Sequence, residues 1–109
     1  MTDLSNAPIS EQYRLVAKKW VDADSAANML EECKSAFLAK LMLGQGDMPV
    51  SRAEMQVKAS PDWNDYVTKM VNQRGAAARL KVQLEYIRMK FAEWQSAEAS
   101  NRAEMKMTR

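Results

Sequence analysis

Seven residues apart along the second half of the chain stand Arg74, Lys81, Arg88, Gln95, Arg102 and Arg109. On an α-helix that spacing returns to nearly the same face, with neighbours about 10 Å apart. Such a row could follow the phosphates of a nucleic acid, or meet the carboxylates of an acidic protein. Lys69, Arg79 and Lys90 add charge close by. Tyr86 lies off the apolar pattern beside Arg79 and Lys90, and suits a surface contact such as stacking on an unpaired base. The candidate binding residues for nucleic acid or an acidic partner are therefore Arg74, Lys81, Arg88, Arg102, Lys90 and Tyr86. A second reading competes with this one. The same row could flank a helix–helix seam and pair with Asp22, Asp24, Glu31 and Glu32 of an earlier helix.

Nothing comparable supports catalysis, and the expectation is a non-enzymatic protein. The 109 residues include no histidine, the usual general base and commonest zinc ligand. Cys33 is the only cysteine, which rules out an internal disulfide and any thiolate cluster. With no base to activate it, Cys33 reads as a buried structural residue. The carboxylates lack the Glu-x-x-His partner of di-iron bundles. The glycine-containing stretch GQGDMP lacks the lysine and the preceding strand of a phosphate-binding loop. No catalytic residue, metal, cofactor or small-molecule substrate is expected.

The elements that must carry these residues are helices. Glycines and prolines number three each, and strand-like alternation is absent. The class read from this is all-α. Residues 1–8 read as a flexible tail and 9–109 as one helical domain, with helices at about 10–43, 51–59 and 61–107. Ile9, Tyr13, Val16, Trp20, Ala23, Ala27, Leu30, Lys34, Phe37 and Leu41 follow 4,3 spacing, broken only by Lys34. Ser10 is placed to cap this helix and Gly44 to end it in the left-handed conformation. Ser51-Arg-Ala-Glu54 has the form of a capping box, and Ser60-Pro61-Asp62 that of a helix start.

The last helix offers two apolar rows: Trp63, Met70, Ala77, Leu84, Phe91 and Tyr66, Gln73, Leu80, Ile87, Trp94. An antiparallel pairing of the two long helices sets Phe37 against Tyr66, Ala27 against Ala77 and Trp20 against Leu84. The predicted architecture is an antiparallel long-helix hairpin with a short connecting helix. Six of the seven aromatics considered (Trp20, Trp63, Trp94, Tyr13, Tyr66, Phe91) fall on its core seam, Tyr86 alone outside it. A second apolar stripe remains on each helix: Leu15, Ala26, Met29, Cys33, Ala36 and Leu43, and Val71, Gly75, Ala78, Val82 and Met89. The short helix covers part through Ala53 and Val57. The rest predicts a homo-oligomer, most simply a dimer with a four-helix core.

Charge is unevenly spread. Met1 to Asp65 holds ten acidic and seven basic residues, whereas Tyr66 to Arg109 holds four acidic and nine basic. A basic second half suits a polyanion or an acidic surface. No apolar run approaches the roughly 18 residues of a membrane span, and the first residues lack a secretory signal pattern. A cytoplasmic protein without a membrane partner is expected. The C-terminal ASNRAEMKMTR offers Met105 and Met107 beside basic residues, a combination that suits an adaptable protein contact.

The stretches SRAEMQVKASPDWNDYVTKM and EYIRMKFAEWQSAEASNRAEMKM resemble a group of small helical proteins of tailed bacteriophages and prophages. The shared phrases fall on Tyr86 to Met89, Phe91, Glu93 to Ser96 and Arg102 to Met105. The resemblance covers about half the chain, and implies a gene among early or recombination functions and a host bacterial cytoplasm as location. It assigns no site residue. Three functions follow as expectations. The first is an accessory protein that binds DNA or a DNA-processing protein in phage recombination or replication. The others are a helical inhibitor of a host protein and a virion assembly component.

Overall fold

The computed structural model describes residues 6–107, so most of the expected tail, and Arg109 of the basic row, lie outside the described residues. Three α-helices follow in order: α1 (Ile9–Leu43), α2 (Val50–Lys58) and α3 (Pro61–Met107). No strand occurs among the described residues. Their contacts group into two compact units. One is Val21–Ala78; the other joins residues 6–20 to residues 79–107 and is called the terminal unit here.

Helix boundaries are set by backbone chemistry that the sequence only partly announces. The carbonyl of Pro8 accepts the amides of Glu11 and Gln12, both at 3.0 Å, so α1 starts at Ile9. Ser10 thus lies inside the first turn rather than at the expected cap. The Gln12 side-chain amide reaches back to the Ala7 carbonyl at 2.8 Å. At the far end the Gly44 amide donates to the carbonyls of Lys40 and Leu41 at 3.3 and 3.2 Å. The left-handed residue is Gly46, with φ 86°, and not Gly44 as the spacing predicted. A side chain at residue 46 would be strained in that conformation.

The capping box at Ser51 does not form. The carbonyl of Pro49 takes the Ala53 amide at 3.0 Å, α2 begins at Val50, and no side chain caps it. Glu54, which would have closed the box, pairs with Lys58 at 2.8 Å, one turn further on. Ser60 does act as read. Its Oγ accepts the Trp63 amide at 3.3 Å and donates to the Val57 carbonyl at 2.6 Å. One hydroxyl therefore opens α3 and closes α2.

In the Val21–Ala78 unit, α1 and α3 run antiparallel: Phe37 lies by Tyr66, and Asp24 by Arg74. Phe37, Tyr66 and Trp63 form a three-ring stack, with centroids 4.5 Å apart for Phe37–Tyr66 and 6.2 Å for Trp63–Tyr66. Tyr66 donates its hydroxyl to the Leu30 carbonyl, and burial pushes its phenol above the usual range, with Cys33 adding to the shift. Gln73 donates to the Ala23 carbonyl at 3.3 Å. Ala27 and Ala77, which leave the least bulk between two helices, are essentially inaccessible to water. Ala53 and Val57 bury the inner face of α2. Lys34 interrupts the apolar spacing because its ammonium sits 5.9 Å from the centroid of Trp63.

The terminal unit is also antiparallel. Val16, Leu84 and Ile87 form its core, with Ile9, Ala17, Trp20 and Leu80 packed against them. The expected partners Trp20 and Leu84 thus share one cluster. The second stripe is left open: Met29, Cys33, Ala36 and Leu43, and Val71, Ala78, Val82 and Met89, are all exposed. Cys33 is consequently a surface thiol, contrary to the buried residue expected, because no described element covers that side of α1.

Candidate binding surface

The basic row divides between the two units, and its members meet different fates. In the Val21–Ala78 unit, Arg74 is fully engaged. Asp24, Asn28 and Glu31 stand on one face of α1, four and then three residues apart. Arg74 Nε and Nη2 donate to the two Glu31 carboxylate oxygens at 2.9 and 3.0 Å. Its Nη1 reaches Asp24 Oδ1, and its Nη2 reaches Asn28 Oδ1, both at 2.6 Å. The bonds to Glu31, then the one to Asp24, hold the guanidinium above its usual range. Arg74 in turn holds the Glu31 carboxyl below the ordinary value of 4.5. For Arg74 the seam-flanking reading is the observed one, and its charge is already spent inside the molecule.

In the terminal unit the cations are open. Arg88 Nη2 makes one long hydrogen bond, 3.4 Å, to the Tyr13 hydroxyl, which is the leading cause of its raised pKa. Lys81, Lys90 and Arg102 are exposed and form no hydrogen bond or ion pair among the described residues. Tyr86 is 64% exposed, as its place off the seam predicted.

These residues do not share one face. At about 100° per residue, Lys81 and Arg88 align with each other, whereas Tyr86 lies nearly opposite Arg88. Lys81, Arg88 and Arg102 border the packed side of α3. Tyr86 and Lys90 belong to its outer side, with Arg79, Val82 and Met89 around them. The six candidates therefore resolve into one partnered arginine, a bordering row of three cations and an outer patch around Tyr86. No family model matches this chain, and no curated protein or solved structure matches it either. The surface is therefore read from its own chemistry. The terminal unit holds nine basic and five acidic residues, the Val21–Ala78 unit six basic and eight acidic.

One feature of the terminal unit escaped the sequence. Three aromatics placed on the core seam are largely open: Tyr13, Phe91 and Trp94, exposed by 37, 40 and 52%. Phe91 and Trp94 stack on each other with centroids 5.9 Å apart. Together with Ile9, Ser10, Ile87 and Arg88, Tyr13 and Phe91 line a hollow of about 320 Å³. The cause is length: α1 begins at Ile9, beside Phe91 and Trp94, while α3 continues to Met107. The excess could have been read from the two helix lengths and the pairing register together. Among the described residues no group of acidic or sulfur ligands is placed to hold a metal ion, and no helix is long and apolar enough to cross a membrane.

Proposed function

We propose that this chain is a non-enzymatic accessory protein of a tailed phage that contacts DNA during recombination or replication in the host cytoplasm. The observation that carries this reading is the concentration of open cations in the terminal unit: Lys81, Arg88, Lys90 and Arg102, against the fully partnered Arg74. Cations free of internal carboxylates are the ones that can release counterions from a phosphate backbone. Tyr86 supplies a ring on which an unpaired base can stack.

The test is a salt titration of binding to single- and double-stranded oligonucleotides. Affinity should fall linearly on a log–log plot, by roughly 0.7 to 0.9 in slope per phosphate neutralised. Lys81→Glu with Arg88→Glu should keep the helical circular-dichroism signal and flatten that slope by about two contacts. Absence of binding at low salt would remove the reading. A second reading, a helical inhibitor of a host protein, draws on the exposed Val82, Tyr86 and Met89 of the outer patch. It gains ground if Tyr86→Ala with Met89→Ala abolishes capture of one host protein while DNA affinity is unchanged.

A further inference from the structure

From Gln95 to Met107 every residue of α3 is exposed, except for Glu98, which is half-buried. An isolated helix of that length is marginal in water. It continues directly from Phe91 and Trp94, whose rings are left largely open. Apolar area is available here for burial, and the residues around it say what fits.

The segment is complementary to itself when reversed. Around Ser100 the order runs Trp94, Glu98, Arg102, Met105 on one side of the helix: apolar, acidic, basic, apolar. Set antiparallel against a second copy about a two-fold axis, Glu98 of each chain meets Arg102 of the other, and Trp94 meets Met105. Two reciprocal ion pairs and two sulfur–ring contacts result, as an isologous interface demands. Set parallel, Glu98 would face Glu98 and Arg102 would face Arg102, which is repulsive. Glu98 and Arg102 form no ion pair among the described residues, so both are at liberty to pair across the axis.

The geometry points to a second copy of this chain as the occupant: an antiparallel homodimer centred near Ser100, with the tail of each α3 lying over Phe91 and Trp94 of the other. The inference takes Arg102 out of the DNA reading, which then rests on Lys81, Arg88 and Lys90, and its test concerns the protein alone. Its test is mass in solution by sedimentation, without nucleic acid, across a hundredfold range of concentration on the order of micromolar. The unmodified chain should dimerise. Glu98→Arg alone places Arg against Arg, and Arg102→Glu alone places Glu against Glu. Each should weaken self-association at least about tenfold while leaving the circular-dichroism spectrum of the monomer helical. Mixed one to one, the two variants should form a heterodimer, since both crossed pairs are then opposite in sign. A chain that stays monomeric, single variants that dimerise like the parent, or a mixture that fails to associate would each overturn the proposal.

Discussion

Arg74 and Arg88 sit two heptad repeats apart and carry the same group, yet only Arg74 is enclosed by carboxylates. The reason lies across the seam. Asp24, Asn28 and Glu31 face Arg74, whereas Arg88 is opposite the phenol of Tyr13. The sequence offered both fates for the row, because heptad spacing shows which residues align and not what stands opposite each. The difference predicts different behaviour in acid. The Glu31 carboxyl is held below its ordinary value by Arg74, so the folded state binds its proton less readily than the unfolded state. The stabilisation is present above the ordinary carboxylate range and is lost as pH falls through it to the lower folded value. Arg74→Met should therefore lower the urea midpoint at neutral pH and lose part of that deficit as the pH falls below the ordinary carboxylate range. Arg88→Met should show no such acid-dependent convergence. Urea titrations at several pH values decide it, and parallel pH curves for parent and Arg74→Met would refute the assignment.

The elements were legible where one side chain can do the capping and obscure where backbone and proline decide. Helix class and helix number among the described residues follow from apolar spacing and the scarcity of glycine and proline. Ser10, Ser51 and Gly44 all had the right residue type at the right place, and none takes the expected role. Pro8 and Pro49 supply carbonyls that start their helices, and Gly46 rather than Gly44 takes the turn that needs positive φ. Ser60 differs because its hydroxyl has two backbone partners at once. Substituting it removes a cap from α3 and a bond to the end of α2 together. Ser60→Ala is expected to cost about 1 kcal/mol, near the middle of the range for lost N-caps, and Ser51→Ala to fall within about 0.5 kcal/mol of the parent. Guanidinium denaturation of the two variants side by side measures this. Equal losses would mean that Ser51 caps α2 in solution.

For the whole molecule the decisive quantity is how little apolar surface leaves the solvent within one chain. Among the described residues, eight hydrophobic ones are buried: Val16, Ala27, Ala53, Val57, Trp63, Ala77, Leu84 and Ile87. Three of them are alanines, which contribute little area each. Single domains near this size are marginal even when compact, since burial must offset about 1 to 2 kcal/mol of backbone entropy per residue. Any state that binds folded chains and not unfolded ones then raises stability by mass action, and makes the melting temperature depend on concentration. Here the consequence is specific. The melting midpoint of the parent should climb steadily over a hundredfold rise in protein concentration, because association covers Phe91, Trp94 and the exposed end of α3. Glu98→Arg should melt lower at high concentration and show a flat dependence, meeting the parent on dilution. Calorimetry at matched scan rates makes the comparison. A parent midpoint that does not move with concentration would mean that these eight residues and their partly buried neighbours hold the fold alone.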